Sequence, residues 1–238
     1  MKKALVAALL VVTAIPLLIG VAAMPPHGDP DTPLHTHVSA RYLEQGKEEA
    51  GAANIVTAVI LNYRALDTAG EVTVIFTALV ACLAVLISFP ALPKDGGEGV
   101  PVTPAPLSPV VSFVVRLLAP FIALFSVYVI FHGHVTPGGG FQGGAILGGL
   151  FIALTMVLGE GRTRALLPRH GAPWMQGAAV LAFVAVGILG TALTGYFLGY
   201  PAESQHLVTE LMLLVIEVGI GLGGAAIFAT LFLQMEEE

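Results

Sequence analysis

Six runs of about twenty apolar residues, at positions 4–23, 70–92, 109–131, 141–158, 173–193 and 207–233, constrain this chain more than anything else in it. A hydrocarbon core of about 30 Å is crossed by roughly 20 residues at helical rise. In lipid the backbone polar groups must be satisfied within the segment. Six transmembrane helices are therefore the direct reading. Barrel strands would alternate in polarity and be about ten residues long, and these runs do neither. Composition agrees, because only 11% of the 238 residues are charged while 56% are hydrophobic, before 28 glycines are added. A soluble domain carries roughly 25% charged residues, so a water-soluble globule is excluded. So is a disordered chain. The net charge of −6 argues against a nucleic-acid partner, which requires a basic patch. The single cysteine excludes a disulfide framework and Cys-based metal centres. The expected fold class is an all-α integral membrane protein with six transmembrane helices, whose partner solvent is the lipid bilayer.

Lys2 and Lys3 before the first run also fit a signal peptide cleaved near residues 21–23; the length of the run favours a retained span. With the N-terminus inside, Lys2, Lys3, Lys94, Arg162, Arg164 and Arg169 are cytoplasmic, with Arg116 just inside the third span. Arg41, Lys47 and Arg64 then lie outside. By the positive-inside rule both termini are cytoplasmic, in a multi-pass protein of the cell (inner) membrane. Residues 93–108 are rich in Pro and Gly and have linker composition. They divide a two-span unit, 1–92, from a four-helix bundle, 109–238. The two units share no visible repeat, so an inverted-repeat carrier is not suggested, and the chain reads as a piece of a larger assembly.

Between the first two spans lies a polar stretch, 24–69. Its first half holds Pro25, Pro26, Pro30 and Pro33 and is expected to be irregular. In 54–67, Ile55, Val56, Val59, Ile60 and Tyr63 recur at helical spacing, which predicts an amphipathic helix lying against the membrane or a partner.

Three constellations could carry chemistry. Arg64, Asp67, Thr68 and Glu71 stand at the entry to the second span. Thr68 as N-cap with Glu71 three residues on makes a capping box, with Asp67 suited to a helix start and Arg64 neutralising it. Alternatively, Glu71 is an ion-handling carboxylate at the membrane boundary. The run His132-Gly-His134-Val-Thr-Pro137-Gly138-Gly139-Gly140-Phe141-Gln-Gly143-Gly144 makes a sharp turn into a helix. Its glycines, with Gly148 and Gly149, allow close helix packing. The two histidines lack a third ligand, so no metal site is expected. They either close the turn or relay protons. His35 and His37 are read the same way. Glu210 and Glu217, seven residues apart, share a face of the sixth span. Each would cost roughly 2.5–3.5 kcal/mol facing lipid. Glu210 is either an ion-path carboxylate or, lying near polar residues, a solvated one. Glu217 is flanked by apolar runs and must bind a buried partner, sit protonated or line a path. Gly219, Gly221, Gly223 and Gly224 give the same helix a face for close packing.

The segment 54–64 followed by Asp67-Thr-x-Gly-Glu71 resembles the C-terminal region of the large A-type component of Mrp-type cation/proton antiporters and the small E-type component of membrane-bound hydrogenases. The run from Gly133 and His134 through Pro137-Gly-Gly-Gly-Phe141 to Gly144 resembles the hallmark of the MrpB, or MnhB, family, shared with the F-type component of the hydrogenases. The two resemblances cover roughly 1–92 and 105–235. They imply a two-helix unit fused to a four-helix bundle in a membrane subunit that is not catalytic by itself and has no cofactor. That subunit would belong to the cation-translocating module of an Na+/H+ antiporter, with Na+ and H+ as transported ions and other complex subunits as partners. They also imply that Glu71 is an ion-path carboxylate with Asp67 and Arg64 beside it, and that Pro137, Gly138, Gly139, Gly140 and Phe141 are structurally necessary. The fusion leaves the host open between an antiporter and a hydrogenase-like or sulfur-reducing ion-pumping complex.

Overall fold

The computed structural model describes residues 2–32, 34–88, 108–166, 171–202 and 205–236. Among these residues the chain is all-helical. Nine α-helices are described: α1 (Lys2–Ala22), α2 (Ser39–Ala50), α3 (Ile55–Ala58), α4 (Ala65–Ser88), α5 (Pro109–Phe131), α6 (Gly140–Leu158), α7 (Glu160–Leu166), α8 (Gly171–Thr194) and α9 (His206–Glu236). Six of them, α1, α4, α5, α6, α8 and α9, are long and apolar enough to cross a membrane. These are the six expected spans. Residues 93–107, including Lys94 and most of the expected linker, lie outside the described residues, as does Arg169.

The chain divides into two compact units, Met1–Glu44 and Gln45–Glu238. In the first, α1 is exposed along its described length. Thr13 Oγ1 donates to the Leu9 carbonyl at 2.8 Å within it. The proline-rich turn follows, braced where the Asp31 amide donates to Asp29 Oδ1 at 3.0 Å. A π-helical turn at Leu34–Val38 then leads into α2. The helix α2 lies within the polar stretch and was not singled out from sequence.

In the second unit α9 is the central element, with α6, α8, α5 and α4 packed against it. Its 31 residues correspond to about 46 Å at 1.5 Å per residue, longer than a bilayer core. The α6–α9 contact follows from glycine. Gly140, Gly144 and Gly148 are buried at every fourth position of α6, which puts them on one face. A Cβ at Gly144 would stand 2.7 Å from the carbonyl oxygen of Gly221 on α9. The two backbones therefore touch, as small-residue packing in membranes allows. On the α5 side, Ser126 Oγ donates to the Gly143 carbonyl at 2.8 Å. On α8, Ala179 faces Gly219 and Gly223.

The segment 54–67 differs from expectation. It is not one amphipathic α-helix: the single turn α3 passes into a π-helical turn at Val59–Tyr63, and α4 already starts at Ala65. Its buried residues are Thr57, Ala58, Leu61 and Ala65, while Ile55 and Val56 are 41% and 53% exposed. A 3.6-residue period does not run through a π turn, so the expected face is not the one that packs.

Candidate functional site

The site begins where α5 ends. His132 caps α5, and the amides of Val135 and Thr136 turn back onto its carbonyl at 2.9 and 2.8 Å. Pro137 follows, and then Gly138 and Gly139 take φ of 136° and 145°. Side chains rarely adopt that backbone, so two consecutive glycines are required there. α6 then starts at Gly140 with no side chain of its own to cap it. The free amide of Gly140 instead donates to Glu217 Oε2 on α9. A carboxylate from a distant span thus does the work of an N-cap, where the helix dipole favours an acceptor.

Glu217 is 1% exposed. The loop closes around it so tightly that a Cβ at Gly133 would lie 2.8 Å from Oε1, and one at Gly139 would lie 2.9 Å from Oε2. Its other partner is Thr57, whose hydroxyl oxygen lies 3.3 Å from Oε1 and donates to the Gly133 carbonyl at 2.6 Å. Asn54 completes the cluster. Its Oδ1 accepts from the Val56 amide at 3.0 Å and so caps α3. Its Nδ2 reaches the carbonyls of Gly133 and Thr136 at 2.8 and 2.9 Å, with Gly138 O and Thr57 Oγ1 farther away. The Asn54 amide donates to the His134 carbonyl at 3.1 Å. Irregular backbone beside spanning helices is tolerated only where such bonds satisfy it.

A third segment roofs the cluster. After α8 the chain folds back, with the Leu198 amide donating to the Gly187 carbonyl at 3.3 Å. Leu198 has a φ of 58°, a left-handed conformation that costs an L-residue about 1–2 kcal/mol. It delivers Tyr200, 5% exposed, whose hydroxyl has no hydrogen-bond partner among the described residues. Burial pushes the Tyr200 phenol up from its usual range.

The other expected residues fall elsewhere. Glu210, expected on the same face as Glu217, is exposed in the second turn of α9. His132 stacks on Tyr128, ring centroids 4.4 Å apart, and is exposed. His134 is half-buried, with Nδ1 unpartnered among the described residues. The capping box does not form. Thr68 lies inside α4, and its hydroxyl donates to the Ile60 carbonyl at 2.5 Å, satisfying an acceptor that the π turn leaves over. Arg64 Nε and Asp67 Oδ2 do pair, at 2.6 Å, but their side chains are 63% and 56% exposed, so the pair contributes little. Glu71 is exposed on α4. Of the glycine run, Gly139, Gly140, Gly143 and Gly144 are buried and Phe141 packs against the core cluster. Sequence reasoning missed Asn54, Thr57 and Tyr200 as site residues. Asn54 carries one signal, an N-cap residue type directly before an apolar run.

Fold and site define a multi-pass α-helical membrane protein that seals a carboxylate into a loop between its spans. The chain belongs to the family of domains related to the MnhB subunit of Na+/H+ antiporters, whose model matches residues 110–233. A second family model, for the E component of MBH, matches residues 11–95. Among curated proteins, the A/B component of a probable K+/H+ antiporter of Rhizobium meliloti is 26% identical over 73% of this chain and 18% of its own length. An uncharacterised protein of Methanocaldococcus jannaschii is 27% identical over 61% of this chain and 59% of its own. The chain thus spans less than two thirds of these relatives. Among solved structures, a chain of the membrane-bound sulfane sulfur reductase, an archaeal respiratory complex, is 32% identical with a TM-score of 0.65 over 98% of this chain and 99% of that one. A chain of the Mrp complex from Dietzia sp. is 25% identical with a TM-score of 0.63, over 96% of this chain and 26% of that one.

Proposed function

We propose that this chain is a membrane subunit of a multisubunit Mrp-type cation (Na+)/proton antiporter and contributes to its cation-translocating module. The observation that carries this reading is Glu217, a carboxylate buried within a span whose partners among the described residues are an amide and a hydroxyl, with no basic side chain bonded to it. Buried intramembrane carboxylates mark ion pathways. The family and the antiporter relatives support the reading. Glu71, exposed on a spanning helix, calls for a neighbouring subunit to cover it, which makes it the path carboxylate at that interface, with Asp67 and Arg64 beside it. The chain acts as a two-span unit, 1–92, joined through 93–108 to a four-span domain, 109–238, and catalyses nothing alone.

In everted membrane vesicles, Glu217→Gln is expected to reduce Na+-driven proton exchange to background while the complex still assembles. Wild-type exchange by that variant would sink the reading. The end-to-end match to the sulfane sulfur reductase chain favours a second host, a sulfur-reducing or hydrogenase-like pumping complex. Iron–sulfur absorption in the purified complex identifies that host.

The charge distribution supports a topology with both termini in the cytoplasm. In a Cys82→Ser background, a cysteine at Arg162 is expected to label only from the cytoplasmic side, and one at Ala53 only from the outside. The reverse pattern would invert the topology.

A further inference from the structure

The hydrogen bonds around Glu217 have a polarity, and it bears on which ion the site holds. Thr57 has one hydroxyl hydrogen. The Gly133 carbonyl lies 2.6 Å from its oxygen, while Glu217 Oε1 lies 3.3 Å away. The hydrogen therefore belongs to Gly133, and a Thr57 lone pair faces Oε1. Asn54 Nδ2 has two hydrogens, and its nearest acceptors are the carbonyls of Gly133 and Thr136, at 2.8 and 2.9 Å. It has none left over to mediate between Thr57 and the carboxyl. The amide of Gly140 is committed to Oε2. Oε1 and Thr57 Oγ1 thus face each other as two acceptors unless a hydrogen sits between them. Both are shut off from bulk solvent, Thr57 at 0% and Glu217 at 1% exposure.

We infer that Glu217 is a proton-binding site, holding a proton on Oε1 that it donates to Thr57, and that Thr57 is the residue that reports its charge to the glycine loop. When the proton leaves, the carboxylate draws the Thr57 hydrogen away from Gly133, and that carbonyl then depends on Asn54 alone. Loading the carboxyl thus tightens the loop over the α6 N-terminus, and unloading it loosens the loop. The bound ion is a proton rather than a metal cation, because Oε1 and Thr57 Oγ1 lie within reach of a single shared hydrogen, at 3.3 Å, and the Gly140 amide already occupies Oε2. Tyr200, from the 195–202 segment, is the titratable side chain that would feel a charge on Glu217. His134 stands on the α5–α6 loop, and the acidic residues of α4, Asp67 and Glu71, are exposed outside the cluster. The described packed faces of α3, α6 and α8 contribute none.

The inference rests on the ion-path reading of Glu217, yet it can be tested separately by infrared difference spectroscopy on the purified complex. A carboxylic C=O band is expected at neutral pH, unchanged by Na+, absent in Glu217→Gln and displaced in Thr57→Val. Thr57→Ser should restore both the band and the pH profile of exchange, which Thr57→Val shifts. Absence of the band from wild-type protein at neutral pH, or its removal by Na+, would overturn the proton site. If the band is present while Glu217→Gln transports normally, the proton site stands and the transport reading fails. A Thr57→Val variant with an unmoved band would remove Thr57 from the mechanism.

Discussion

Gly144→Leu is expected to leave no stably folded protein. At Gly144 even a Cβ would meet the backbone of α9, 2.7 Å from the Gly221 oxygen and 3.1 Å from its Cα. Neither atom can turn aside as the tip of a side chain can. The helices would have to separate, and Gly140 would then lose its bond to Glu217. The milder Gly144→Ala should cost about 1–3 kcal/mol, the usual range for overpacking. At Gly149, five residues along the same helix, an added methyl would have nothing within 4 Å. Gly149→Ala should therefore be neutral, or gain up to about 1 kcal/mol in helix propensity. Thermal denaturation of the detergent-solubilised complex separates the two. Equal loss from both substitutions would show that the α6–α9 seam is not what the glycines serve.

Asn54→Ala carries the second large effect. It removes the nearest donor to the Thr136 carbonyl and one of two donors to that of Gly133, and it uncaps α3. A buried acceptor left unsatisfied costs about 1–3 kcal/mol, and a lost cap about 1 kcal/mol. A total of about 2–4 kcal/mol is expected from these two losses, read as a fall in the melting temperature of the complex together with lost exchange activity. Asn54→Ser retains a capping oxygen but cannot span the loop, so it should recover only the smaller part. Full recovery by serine would reduce Asn54 to a helix cap.

The spans were legible because twenty apolar residues in a row leave few alternatives. Their ends were less so: α4 starts at Ala65, five residues before the apolar run at Gly70, because Ala65 and Thr68 are buried by the π turn that precedes them. The site was legible in parts. The glycine run and Glu217 each stood out, one by its turn chemistry and the other by the cost of a carboxylate among apolar residues. Their meeting was not legible, since 77 residues separate Gly140 from Glu217 and helical spacing names a face without naming its neighbour. Seven-residue spacing placed Glu210 with Glu217, yet only Glu217 lies under the loop and the 195–202 segment. Thr57 was hidden for a different reason. In an apolar stretch it reads as one more small residue, and only the fold turns its hydroxyl toward a carboxyl.

The distances along the chain between members of this cluster set an order on its assembly. Thr57 waits 160 residues for Glu217, and Asn54 waits 79 for Gly133. At a synthesis rate of about 5–20 residues per second, the earlier residues spend on the order of 10–30 s without their last partner. During that interval Asn54 and Thr57 can meet the α5–α6 loop but not the carboxyl, and the α6 N-terminus stands uncapped. Insertion of α9 is therefore the step of biosynthesis that brings the Glu217 carboxyl to Thr57 and caps the α6 N-terminus.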